Sequence, residues 1–112
     1  MAIPTIGKNK IRDLISSSVD YIIMGTNGDD FDVSDTGVKA PVNDTKNNVV
    51  ITKTNKSFQT QATVLSTQGN GNTLKEVGVY FDDDVILDRF VIPDLVKTDQ
   101  IEVVNIAISR IN

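Results

Sequence analysis

From Val19 onward the chain carries no helical period. Short runs rich in Val, Ile, Phe and Thr are broken repeatedly by Gly, Asn, Asp and Pro, as in "SFQTQATVLSTQGNGNTLKEVGVYFDDDVILDRFVIP" from 57 to 93. Residues two apart share a face of a strand, whereas residues three and four apart share a face of a helix. From Ser57, the apolar Phe58, Ala62 and Val64 fall on one parity and Gln59, Gln61 and Thr63 on the other, as in a strand with one face buried. The pattern recurs after "GNGN" (69 to 72), where Val77, Val79 and Phe81 alternate with Glu76, Gly78 and Tyr80. Glycines there supply positive φ for a hairpin turn. The bend Asp82-Asp83-Asp84 leads into "VILDRFVI", which Pro93 stops, and the chain closes on an alternating strand over 101–111 with Val104, Ile106 and Ile108 on one parity.

Upstream, "VDYIIMGT" (19 to 26) is apolar without alternation, which predicts a central strand covered on both faces. "NGDDFDVSDTGVKAPVND" (27 to 44) reads as a long loop with one helical turn near Ser34 to Val38. "NNVVITKTN" (47 to 55) reads as one strand, joined to the next through Asn55-Lys56. The helical period is confined to Lys8–Val19, where Ile11, Leu14 and Ile15 share a face between Pro4 and Gly7 at the start and the serines 16 to 18 at the end. So short a helix needs something to dock on, its own core or a neighbouring subunit. The chain therefore divides into an N-terminal arm with a short helix (1–18) and a β domain (19–112). About six strands, antiparallel and closely punctuated, predict an all-β antiparallel β-sandwich, immunoglobulin-like or jelly-roll-like, with a barrel as the second choice.

Composition narrows what such a domain can do. At 112 residues one domain is expected, with a core drawn from the 39% of hydrophobic residues and only 5% aromatic. A formal charge of −4 and the lack of a basic stripe argue against nucleic acid as a partner. The chain has no Cys and no His, so thiolate, imidazole and the common zinc chemistry are absent. "MAIPTIGKNK" is too short and polar for a signal peptide, and no run reaches the roughly 18 apolar residues of a membrane span, so synthesis in the cytoplasm without export, and no membrane partner, are expected.

The carboxylates are the remaining candidates. Asn27, Asp29, Asp30, Asp32 and Asp35 crowd into "NGDDFDVSD", and clustered oxygens are what calcium takes. The EF-hand frame fails, lacking its central Gly and its terminal Glu, which leaves Asp29, Asp30 and Asp32 as weak calcium candidates beside a reading of turn and cap residues. Asp82, Asp83 and Asp84 repel one another and belong on a solvated bend. Asp88 and Arg89, adjacent on a strand, point to opposite faces, so Arg89 is expected to pair with a carboxylate on a neighbouring strand or subunit. No phosphate loop, nucleophile elbow or informative carboxylate pair emerges, and no catalytic residue, cofactor or enzyme activity is expected.

Several of these pieces occur together in a further pattern. Met24-Gly25-Thr26 ends a strand; Ser34-Asp35-Thr36 follows in the loop; Asn72 to Tyr80 reads "NTLKEVGVY"; then come Leu87-Asp88-Arg89 to Pro93, Val96-Lys97-Thr98 and the alternating run from Ile101 to Ile111. In this order, over roughly residues 11 to 111, the chain resembles small virion proteins of tailed phages and prophages, variously described as tail-fibre, collar or head-proximal components. It departs from them at Asp82 to Asp84, where they carry a Gly-containing turn, and near Asn105, where a Trp is often seen. The resemblance implies a non-enzymatic structural protein of the virion, forming symmetric homo-oligomers and touching other virion proteins on the tail, collar, baseplate or capsid surface. Ile11, Leu14, Ile15 and Arg89 are then the candidate subunit contacts. The alternative is a stand-alone carbohydrate-binding or adhesion module of sandwich type, using the acidic loop with calcium.

Overall fold

The computed structural model describes residues 2–112; Met1, part of the expected arm, lies outside them. One helix precedes seven strands: α1 (Thr5–Ser16), β1 (Val19–Gly25), β2 (Pro41–Asn48), β3 (Val50–Thr54), β4 (Ser57–Val64), β5 (Thr73–Phe81), β6 (Ile86–Val96) and β7 (Val103–Arg110). The strands form two antiparallel sheets, one of four in the order β2-β1-β5-β6 and one of three in the order β3-β4-β7. The protein is thus a β-sandwich with one short helix. Its four-plus-three division matches that of immunoglobulin constant domains, with a strand order of its own.

Between the sheets, Ile22 and Met24 of β1, Phe58 and Val64 of β4, and Leu74, Val77 and Val79 of β5 form the core. Each such side chain contributes roughly 1.5–3 kcal/mol by leaving water. The parity read from Phe58, Ala62 and Val64 holds, since all three are buried. So does the position of β1, which lies between β2 and β5 with Tyr21 buried on one face and Ile22 and Met24 on the other.

Several boundaries differ from the sequence reading. The run 47–55 is two strands in different sheets, with Val49 between them, and β2 begins at Pro41 inside the expected loop. The cause is a bulge: β1 pairs Ile22 with Asn47 but Met24 with Val42. Thr45 fills the gap, its Oγ1 accepting the Met24 N–H at 2.9 Å and donating to the Val42 carbonyl at 2.6 Å. A ladder completed by a side chain leaves no alternation to read. No helical turn forms at 34–38; the Asp35 N–H instead closes a tight turn on the Asp32 carbonyl. β6 runs through Pro93, because it is the outer strand of its sheet and Pro93 falls in the irregularity between Leu74↔Leu95 and Glu76↔Val91. Proline is tolerated where no ladder bond is required. Gly69 and Gly71 do have positive φ, 68° and 84°, but their turn carries the chain from the three-stranded sheet to the four-stranded one and closes no hairpin. A hairpin joins β5 to β6, and its bend at Asp82 to Asp84 is exposed as expected.

The helix starts earlier than predicted and includes Gly7. It docks on the β3–β4 hairpin: Asn9 Oδ1 accepts the Lys56 N–H at 2.8 Å, and Arg12 Nη1 donates to the Thr54 carbonyl at 2.7 Å. Ile15 packs against the main core while Leu14 stays largely in water.

The last strand turns its apolar parity outward. On β7 the inward parity is Val103, Asn105, Ala107 and Ser109, and the apolar parity of Val104, Ile106 and Ile108 faces solvent. Register with β4 imposes this, since Phe58, Thr60 and Ala62 point inward and their partners Ser109, Ala107 and Asn105 must follow. The small inward residues leave room for Phe58.

Candidate functional site

The long loop folds back over the outer face of the four-stranded sheet. Gly25 and Gly78 leave bare backbone there, and Val38 of the loop lies on it, buried with Tyr21 and Tyr80. The two tyrosine rings stack with centroids 4.9 Å apart, and the Tyr80 hydroxyl accepts the Val38 N–H at 2.8 Å. Tyr21 donates to Asp84 Oδ1 at 2.8 Å; burial first, and then that carboxylate, push its phenol well above the ordinary value. This is a second, smaller core outside the main one, and it explains why β5 is buried on both faces.

An ion network anchors the same loop. Glu76 on β5 and Arg89 on β6 are both buried and joined Nε to Oε1 at 2.9 Å. Glu76 Oε1 also accepts the Lys39 N–H at 2.8 Å, and Oε2 accepts those of Asn27 at 2.9 Å and Ala40 at 3.0 Å. Arg89 continues through Nη1 to Asp35 Oδ2 at 3.4 Å and through Nη2 to the Asn27 carbonyl at 3.3 Å. Two strand side chains thus hold both ends of the loop. Burial pushes the Glu76 carboxyl up, but Arg89 and the three backbone N–H groups outweigh it and hold its pKa below the ordinary 4.5.

A pH dependence follows. The fold favours the carboxylate, so the stabilisation is complete above about pH 4.5 and is lost as the pH falls through the lower folded-state value. Urea midpoints measured from pH 6 down to about pH 3 should fall, and Glu76→Gln should reduce the slope. An unchanged slope in that variant would assign the acid sensitivity to surface groups. Asp13, held low by Arg12 and then Lys53, and Asp32, held low by Ser34, are two such surface carboxylates.

These contacts correct one expectation. Arg89 is no subunit contact: its guanidinium is spent inside the chain, on the neighbouring strand and the loop. Of the other candidates, Leu14 is exposed, Ile11 is half-buried, and Ile15 is half-buried against the core. Asp29 and Asp30 are exposed in the loop, and Asp32 is engaged in the turn, accepting from the Ser34 N–H at 2.8 Å and its hydroxyl at 2.6 Å. Among the described residues no three acidic groups converge on a cation.

Lys97, part of the "VKT" element, is fully buried and clamps the turn between the sheets. Its Nζ donates to Asn70 Oδ1 at 2.9 Å and the Thr98 carbonyl at 2.8 Å, while its backbone N–H bonds the Asn72 carbonyl at 2.9 Å and its carbonyl accepts the Gly71 N–H at 3.0 Å. Sequence reading could not mark Lys97 as interior, because nothing local distinguishes it from a solvated lysine.

Open surface lies elsewhere. A cleft of about 420 Å³ runs between the end of α1 and the β5–β6 bend, lined by Leu14, Ile15, Phe81 and Val85 with Asp82 and Asp83 at its rim. A second groove, about 250 Å³, separates the outer strands β6 and β7 and is lined by Asp88, Phe90, Ile106, Ala107 and Ile108. Beside it runs the exposed apolar side of β7. Among the described residues no helix is long and apolar enough to cross a membrane. No protein-family model matches the chain, and comparison with curated proteins finds no significant match.

Proposed function

We propose that the chain is a non-enzymatic structural protein of a phage virion, assembled in several copies on the tail, collar, baseplate or capsid surface. The observation that carries this reading is the outward apolar side of β7, an outer strand with Val104, Ile106 and Ile108 each more than half exposed. A free edge of this kind is an aggregation hazard unless another chain covers it. The residues that carry the resemblance to virion proteins support the same view. Glu76, Gly78, Arg89 and Lys97 hold the loop and the inter-sheet turn in place, so that motif encodes a rigid scaffold.

Two measurements test the proposal. Sedimentation of the purified chain should show a discrete oligomer, and peptide mass spectrometry should find the chain at a fixed ratio to the other proteins of purified particles. A monomer at high concentration, with no trace in the particles, would sink the reading. A calcium-dependent rise in Tm, lost in Asp29→Ala and Asp32→Ala, would mark a calcium-assisted module in its place.

A further inference from the structure

Among the described residues β7 has β4 on one side and no strand on the other. Its ladder with β4 runs from Ser57↔Arg110 to Val64↔Val103 without a bulge, and Ile111 just beyond it donates its N–H to the Lys56 carbonyl at 2.7 Å. Amide direction alternates along a strand, so the odd-numbered residues bond to β4. The even-numbered ones turn their N–H and C=O groups to the open edge. The same even-numbered residues also carry the apolar side chains on the outer face. One set of residues therefore offers both unpaired backbone and unburied hydrocarbon.

The order of those residues is its own complement. Outward from Ile106 come Val104 and Ile108, and beyond them the exposed Glu102 and Arg110, of opposite charge. We infer that β7 pairs antiparallel with β7 of a second copy about a two-fold axis at Ile106, joining the two three-stranded sheets into one. In this register Ile106 meets its equivalent, Val104 meets Ile108 twice, and Glu102 meets Arg110 at each end. Each of these even-numbered pairs has edge-directed amides on both strands, as hydrogen-bonded antiparallel pairs require, and the odd-numbered pairs between them are the non-hydrogen-bonded ones. A slip of one residue sets edge-directed amides against inward ones. A slip of two places Glu102 against Ile108, or Arg110 against Val104. Charge and backbone direction together select a single register, and the self-complementary patch is what a two-fold interface demands. The inference takes from the functional reading only that the partner is a second copy, and is independent of the virion.

The test uses the absence of cysteine from the chain. Ile106→Cys introduces a lone thiol at an exposed position, and facing Cα atoms of a hydrogen-bonded antiparallel pair stand about 5.5 Å apart, within disulfide reach. Mild oxidation should convert this variant largely to a covalent dimer. Thr52→Cys, on the opposite outer strand of the same sheet, should stay monomeric under the same oxidation. Separately, Glu102→Arg or Arg110→Glu should weaken dimerisation about tenfold, since each replaces two attractive pairs with repulsive ones, and the double variant should restore it. Failure of Ile106→Cys to cross-link faster than Thr52→Cys, or failure of the double charge variant to recover, overturns the pairing. Should the chain still sediment as an oligomer in that case, self-assembly stands and only this interface falls. Cross-linked dimers of a chain missing from purified particles would leave the pairing intact and remove the virion reading.

Discussion

Arg89→Ala should lower the unfolding free energy by about 3–5 kcal/mol, out of the roughly 5–15 kcal/mol typical of a domain. The loss is large because Glu76 stays behind, fully buried and charged, without its guanidinium. Urea unfolding at neutral pH reads the change as a lower midpoint. The pattern across partners identifies the cause. Arg89→Met combined with Glu76→Gln should be more stable than Arg89→Met alone, since position 76 then carries no unpaired charge, the Gln oxygen still accepts loop N–H groups, and Asp35 keeps Lys39 Nζ at 3.8 Å. Glu76→Leu should be worse than Glu76→Gln, because it orphans the N–H groups of Asn27, Lys39 and Ala40 together. A cost below about 1 kcal/mol for Arg89→Ala would show the pair to be as weak as a surface salt bridge.

Gly25→Ala is expected to destabilise by about 1–3 kcal/mol and to free the loop. A Cβ at this position would stand 2.5 Å from Glu76 Oε2 and Val38 Cγ1 and 2.6 Å from the Ala40 carbonyl oxygen. The carbonyl is backbone and cannot swing aside, so the loop must lift, taking Val38 off the tyrosines. Limited proteolysis should then cut within 27–38 many times faster than in the parent, with the sandwich fragments still folded. Gly28→Ala is the control, as its Cβ would meet nothing nearer than Lys75 Cδ at 3.4 Å. Equal cleavage of the two variants would mean that close packing at Gly25 does not hold the loop.

Legibility in the sequence followed the locality of each interaction. β1, β4 and β5 were readable because their burial pattern or apolar continuity is written in consecutive residues. β2 was hidden by its bulge, where Thr45 supplies what backbone would normally supply. Glu76 and Arg89 are thirteen positions apart in sequence, and only pairing of β5 with β6 sets them side by side. Polar residues on a sheet face read as solvated unless a loop is known to cover them, so the loop 27–44 could be recognised as long but not as a lid on its own sheet. The acidic residues that suggested calcium proved to be turn-formers, a network member in Asp35, and solvated side chains.

By itself the sequence determined the class of fold, because alternation, β-branched composition and turn residues are local properties that survive without knowledge of the neighbours. It also determined that any chemistry must do without thiol or imidazole. Tertiary structure alone decided which parity of β7 faces inward, since that depends on register with a partner strand. Alternation around Val104, Ile106 and Ile108 is equally strong whichever way the strand is turned. Pairing with β4, where Phe58 already fills the interior, turned the apolar side outward and left it at an open edge.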